Sequence, residues 1–357
     1  MKRYTCRFIG RPEPAMKPTI RELIAPYTSV SIIGMCKNAG KTTVLNELIR
    51  ELSAAGCVLG LTSIGRDGES KDLVTGTHKP GIYVREGTLV ATASDLILHH
   101  CDVTREVLAN TGISTPMGDV VILRARSDGN IQLAGPSLTS QLAAVREAFF
   151  RMGAQKVIID GALSRKTLCS RKVTQATILC TGASYHKDID TVIEDTAYTC
   201  EILTLPETEN DVLRQAVETM PDPRSILVVG EDGIWTVPAD MPPEKALRDP
   251  RSANAKAVFF GGALSDFLLK PLLMSSEKLE GLTFVVRDST KILIKQESFE
   301  KLQRRGVALQ VLDNVNLTAV TVNPFSAYGF HFPKEELMAR MEARVGLPVI
   351  NVMEEAT

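Results

Sequence analysis

Ten consecutive residues, Gly34-Met-Cys-Lys-Asn-Ala-Gly-Lys-Thr-Thr43, bring together small side chains, two lysines and two hydroxyls in an order that suits a polyphosphate. Closely spaced main-chain N–H groups can wrap phosphate oxygens, and a glycine at position 40 leaves room for close approach. Lys41 is expected to reach the β- and γ-phosphates, and the Thr42 hydroxyl to complete the shell of a Mg²⁺ ion. Thr43 would lie near the α-phosphate, while Gly34, Lys37, Asn38, Ala39 and Gly40 form the cradle. The ligand expected is ATP with Mg²⁺, with GTP as the second choice.

Phosphoryl chemistry also needs carboxylates that hold the metal and orient the attacking group. The stretch Thr62-Ser-Ile-Gly-Arg-Asp-Gly-Glu69 offers Asp67, with Glu69 and Asp72 behind it. An ordinary Asp-Gly turn explains the same letters. A second acid, Asp160, ends the apolar run 157–159 and precedes Gly161, where a strand-end cap is the plain alternative. The expected catalytic set is therefore Lys41, Asp67 and Asp160, and the expected metal set is Thr42, Asp67 and Asp160. Ser164, Arg165 and Lys166 follow closely and suit a phosphate or a second substrate as well as a solvated turn. Residues 181–184, Thr-Gly-Ala-Ser, fall at another strand end and would line a base or substrate pocket.

Other reactive side chains carry less. His99, His100, Cys101 and Asp102 are adjacent, and helical neighbours point about 100° apart, so they do not converge on one metal. Cys36 lies inside the loop, either as an oxidation-sensitive thiol or as a small filler. Residues 323–329, Asn-Pro-Phe-Ser-Ala-Tyr-Gly, follow a strand and read either as a ligand loop of the second half or as a connection.

These groups need a scaffold that holds them on one edge. Residues 30–33 read as a buried strand, 34–40 as a loop and 41–55 as a helix with Val44, Leu45, Leu48, Ile49 and Leu52 on one face. Residues 57–62 read as the next strand, which gives the β-loop-α-β order that confirms a phosphate loop. Apolar runs at 120–123, 157–159 and 176–180 alternate with helical stretches, including 138–152. The expected fold is α/β, a doubly wound, mostly parallel sheet followed by a smaller second α/β domain. Strands are expected there at 226–229, 257–260, 284–286, 308–312, 319–322 and 349–352, with a helix over 335–345. The boundaries drawn are a proline-containing leader over 1–27, a nucleotide domain over 28–210 and a C-terminal domain over 220–357.

Composition excludes several function classes. At 357 residues the chain has room for two hydrophobic cores. With 41 basic and 42 acidic residues it has no global positive field, so neither nucleic acid nor a membrane surface is an expected partner. Aromatics at 5% argue against a stacking platform for sugars or single strands. Seven scattered cysteines cannot all pair and suit reduced thiols, and with no apolar signal core or membrane span the expected location is cytoplasmic.

The loop resembles a known group. Five residues, not four, separate Gly34 from Gly40, a spacing similar to that of dethiobiotin synthetase and the cobyrinic acid synthases. Residues 37–43 also resemble the loop of the molybdopterin-guanine dinucleotide accessory protein. These belong to the SIMIBI superclass of P-loop NTPases, several of which are dimers, so a homodimer is compatible. Over residues 28–190 the strings at 32–45, 60–69, 118–126 and 159–166 further resemble the P-loop subunit of the lysine 5,6-aminomutase reactivase. That resemblance implies work with a MutS-like ATPase subunit, helping to replace damaged cobalamin on an adenosylcobalamin-dependent aminomutase. The residues themselves leave three functions open: such an ATP-driven reactivase, a dethiobiotin-synthetase-like ligase or kinase acting on a small metabolite, and a nucleotide-binding scaffold that barely hydrolyses.

Overall fold

The computed structural model describes residues 18–64, 81–161, 169, 171, 173–238, 240–275 and 278–351. Helix α1 (Ile20–Ile24) leads into β1 (Ser29–Gly34), the phosphate loop, α2 (Lys41–Ala54) and β2 (Leu59–Ser63). Then come β3 (Ile82–Val84), β4 (Leu89–Ala93), α3 (Ser94–His99), β5 (Arg105–Thr115), β6 (Gly118–Ala125), β7 (Gly129–Ile131), α4 (Thr139–Arg151), β8 (Lys156–Asp160), β9 (Ala176–Gly182) and α5 (Ile189–Leu203). A second stretch supplies α6 (Asp211–Thr219), β10 (Ile226–Gly230), β11 (Gly233–Val237), α7 (Pro243–Ala246), β12 (Ala255–Phe260), β13 (Leu264–Ser265), α8 (Asp266–Met274), β14 (Thr283–Asp288), β15 (Ile292–Leu293), α9 (Gln296–Arg304) and β16 (Ala308–Asp313). The chain closes with β17 (Leu317–Asn323), α10 (Lys334–Val345) and β18 (Val349–Asn351).

The large sheet has nine strands in the order β18-β17-β9-β1-β8-β2-β4-β6-β5. Neighbours pair in parallel from β18 to β4, and β6 runs against β4 and β5. The run at 120–123 was expected to join a parallel array. It is antiparallel because β5 and β6 are joined by a tight turn, in which Gly118 takes a φ of 88°. In the central strands successive side chains enter opposite cores. Ile32, Ile158 and Ile178 pack toward α1 and α2, whereas Ile33, Ile159 and Leu179 pack toward α4, α5 and α10. Burial on both faces is why these strands read as largely apolar runs, broken only by the buried hydroxyls of Ser31 and Thr177, and why the sheet is doubly wound.

The C-terminal strands depart from the sequence expectation. Residues 220–357 were expected to form one domain, but β17 pairs with β9 and β18 with β17, inside the first sheet. The second lobe is thus an insertion between α5 and β17. Its five-stranded sheet, β11-β10-β12-β14-β16, has its own two cores. Helix α5 serves both lobes. Val192, Ile193 and Leu203 belong to the first core, while Ile202 and Tyr198 pack into the second, where Tyr198 Oη donates to the Ile294 carbonyl at 2.7 Å.

Direction fixes where this lobe attaches. β9 runs toward its carboxyl end at Gly182, α5 returns, and β17 starts again parallel to β9. Both crossings therefore lie at the amino edge of the large sheet, opposite the edge that carries the phosphate loop.

Candidate functional site

The carboxyl ends of β1, β8, β2, β9 and β17 gather at one edge. Ile32 of β1 is in register with Asp160 of β8, and Ser63 of β2 with the same aspartate. Gly34 stands beside Cys180 of β9, and Gly182 beside Asn323 of β17. Residues far apart in sequence thus meet because parallel strands end together.

From Gly34 the chain is anchored at once, since the Met35 N–H donates to the Cys180 carbonyl at 2.8 Å. Asn38 adopts a left-handed φ of 59° and Gly40 a φ of 95°. These two reversals curl the loop back toward the start of α2. Gly40 supplies no capping side chain, unlike Thr19, Asp188 and Asn210, which cap α1, α5 and α6. The first N–H groups of α2 keep their capacity for an anion, at the positive end of the helix dipole. Lys41 Nζ donates to the Cys36 carbonyl at 3.1 Å, folding the lysine over the loop. A β-carbon at position 34 would lie 2.9 Å from Cδ of Lys41, so the first glycine is where the lysine stem rests. Lys37 is exposed and Ala39 is buried as the loop's apolar foot. Thr42 and Thr43 are half-buried on the first turn of α2. A loop of this build, with a lysine folded over it and two hydroxyls after it, presents main-chain donors and one cation to an anion.

Asp160 is half-buried at the end of β8, and its carbonyl accepts from the Ile64 N–H at 3.0 Å, which ties it to β2. The charges of Lys41 and Asp160 both act on the Cys180 thiol, so the loop cation and the strand-end acid share this small region. Asp67, Glu69, Asp72, Ser164, Arg165 and Lys166 lie outside the described residues. Among the described residues no group of three or more histidine, cysteine or carboxylate side chains is gathered as a metal site.

The two thiols beside the loop are held protonated. Burial pushes Cys180 up to about 12, and burial pushes Cys36 up to about 11 against the opposing pull of Lys41. That favours Cys36 as a packing residue over a reactive one.

Residues 181–184 turn out to be a foundation more than a lining. The Thr181 hydroxyl pairs with that of Thr196 at 3.0 Å, and Ala183 is buried. Ser184 Oγ accepts from the Ala327 N–H at 3.1 Å, and Asn323 Oδ1 from the Phe325 N–H at 3.0 Å. The 323–329 segment therefore stands on the phosphate-loop edge of the first sheet, where Phe325 and Tyr328 are exposed. Sequence reading had placed it in the second half, because nothing local says which sheet β17 joins. It also missed Ser63, which lies in register with Asp160 and whose Oγ accepts from the Gly135 N–H at 3.2 Å.

No family model matches the chain, and no curated protein matches it at a significant level. Solved structures similar to it include pNOB8 ParA, at 13% identity and a TM-score of 0.28, and pNOB8 ParA bound to nonspecific DNA, at 13% identity and 0.27. Each match covers 51% of this chain, and 61% and 62% of those chains, so the chain spans about three fifths of their length. Such likeness reaches no further than the α/β fold and carries nothing about substrate or partner. Among the described residues no helix is long and apolar enough to cross a membrane.

Proposed function

We propose that the chain is a Mg²⁺-dependent ATP-binding and ATP-hydrolysing P-loop protein that acts on a protein partner through its inserted lobe. The observation that carries this reading is the cradle itself, with Lys41 folded over Gly34 and an uncapped helix start behind Gly40. In this reading Lys41 contacts the β- and γ-phosphates, and Gly34, Lys37, Asn38, Ala39, Gly40 and Thr43 line the polyphosphate. Thr42 and Asp160 hold the metal, with Asp67 as the further carboxylate. The metal neutralises charge on the phosphoryl oxygens. The protein holds the chain of donors in place and keeps Asp160 beside the end of β2.

The attachment of the inserted lobe favours a partner surface over a substrate lid. A lobe that leaves and rejoins at the amino edge of the sheet is hinged away from the phosphate loop. This agrees with a reactivase role toward an adenosylcobalamin-dependent aminomutase, with a MutS-like ATPase subunit as co-worker. The chemistry that identifies those two partners comes from the resemblance of residues 28–190 alone.

Calorimetry on the full chain tests the site. MgATP should bind the wild type, and Lys41→Ala should lose binding, because a charge-assisted contact to phosphate is removed. A Lys41→Ala protein that binds and hydrolyses ATP like the wild type would refute the assignment. Slow basal hydrolysis, stimulated by the aminomutase with its MutS-like subunit, is the expected partner behaviour. Rapid turnover with a small carboxylate or hydroxyl metabolite and no protein partner would instead make the chain a ligase or kinase.

A further inference from the structure

Helix α8 of the inserted lobe is apolar on both of its sides. Leu269 and Leu272 are wholly buried and pack with Leu264, Phe284 and Val286 in the core of the lobe. Phe267, Lys270, Pro271 and Met274, spaced i, i+3, i+4 and i+7, share the opposite side, and all four are exposed. Phe267 is 91% exposed, the highest value among the large apolar side chains of the described residues, and Met274 is 77% exposed. Leu293 of β15, 57% exposed, is in register with Ser265, two residues before Phe267. One exposed leucine needs no explanation, but an aromatic, a proline and a methionine aligned on one helix face, with a leucine beside its start, mark a contact surface.

The helix is fixed at both ends. At its start Ser265 Oγ accepts from the Leu268 N–H at 3.4 Å, and both carboxylate oxygens of Asp266 accept from the Lys295 N–H at 3.2 Å. At its close Arg305 Nη1 donates to the Leu272 and Leu273 carbonyls at 2.8 Å and 3.2 Å. Side chains carried on a helix held this way lose less freedom when they bind. The charge around the face is positive. Lys270 stands between Phe267 and Met274, Lys291 and Lys295 bracket Leu293, and none of the three joins an ion pair among the described residues. The acid of the helix, Asp266, is already turned to a main-chain donor.

We infer, resting on the partner reading proposed above, that this face of α8 is the docking surface of the inserted lobe and enters an apolar groove of the partner protein whose rim carries carboxylates. Phe267, Pro271 and Met274 are the anchors, at the spacing by which a helix is received in a groove. Lys270, set among them, meets the acidic rim and fixes the register. A second copy of the chain is a poor occupant, because a two-fold contact of α8 with α8 sets the Lys270 ammonium groups of the two chains against each other. The leader has the wrong sign as well, since residues 1–17 carry Lys2, Arg3, Arg7, Arg11 and Lys17 against Glu13.

Interferometry of the full chain against the purified aminomutase and against the purified MutS-like subunit tests this. One of the two should bind the wild type. Phe267→Ser should weaken that binding roughly tenfold or more, and Lys270→Glu should do the same by setting an acid against acids. Added salt should weaken the wild type more than Lys270→Ala. Both positions face solvent, so the melting temperature and the affinity for MgATP should stay at wild-type values. Val212→Ser, at another exposed apolar position of the lobe, should bind the partner like the wild type. Wild-type binding by both Phe267→Ser and Lys270→Glu overturns the docking face and leaves the partner reading standing. Loss in Phe267→Ser with none in Lys270→Glu overturns the acidic rim. Failure of both proteins to bind the wild type overturns the partner reading and this face with it. A dimer of the chain alone that dissociates on Phe267→Ser gives the face to a second copy and overturns the proposal.

Discussion

Lys41 lies across Gly34 so closely that the only substituent position 34 tolerates without moving the lysine is a hydrogen; a β-carbon there would stand 2.9 Å from Cδ and 3.0 Å from Nζ. The first residue of the loop and the lysine seven positions later are therefore one structural unit.

Gly34→Ala tests that unit. The clashing atoms belong to a flexible side chain, so the fold should survive with little change in melting temperature. The displaced ammonium should weaken MgATP binding by about 1.5–3 kcal/mol, the usual worth of a hydrogen bond to a charged group, or roughly tenfold to a hundredfold. Calorimetry beside a thermal melt separates the two effects. Wild-type affinity in a folded Gly34→Ala protein would show that Lys41 does not rest on Gly34 when nucleotide binds.

Asp160→Asn should cut hydrolysis more than binding. The amide is nearly the same size and preserves the backbone tie from Ile64 to the Asp160 carbonyl, but it loses the charge that would hold Mg²⁺. Rates across a Mg²⁺ titration should need more metal to reach half-maximum. Unchanged rates and an unchanged titration would leave Asp160 as a strand-end residue.

Gly182→Ala should destabilise the protein. Gly182 has a φ of 151°, and its β-carbon would fall 2.1 Å from the main-chain oxygen of Asn323, an atom fixed in the sheet. Relieving that clash means separating β9 from β17, so a cost of about 2–4 kcal/mol is expected, as for other steric insertions into packed structure. Urea denaturation should show the midpoint falling. A wild-type midpoint would mean that the two strand ends are less tightly joined than described.

Alkaline pH should weaken the fold through the two thiols at the loop. Burial raises Cys180 to about 12 and Cys36 to about 11, both from an ordinary 9.0. A raised folded value means that the native state holds the proton more tightly. Their contribution is therefore complete below about pH 9 and is lost as pH rises from there toward 11 and 12. Denaturation midpoints measured between pH 8 and 10.5 should decline less steeply in Cys36→Ala and Cys180→Ala than in the wild type. Parallel slopes in all three proteins would remove the thiols from the account.

Residues 29–63 were legible from sequence because everything that shapes them is close at hand. Val30, Ile32 and Ile33 make a strand buried on both faces, glycines permit the curl, and the 3.6-residue period of Val44, Leu45, Leu48, Ile49 and Leu52 gives α2 its buried side. The same local logic located β8 and put Asp160 at its end. Sequence alone therefore determined that a loop bearing Lys37 and Gly40 stands between a buried strand and an amphipathic helix that opens with Lys41. Tertiary structure decided which strands share an edge. Whether β17 pairs with β9 or with β16 depends on partners over a hundred residues away, and the apolar pattern of β17 suits either sheet. That choice made the second lobe an insertion and brought the 323–329 segment to the phosphate-loop edge. No short-range signal encodes these, because strand pairing is a contest among all compatible strands and is settled only when the two cores close around them.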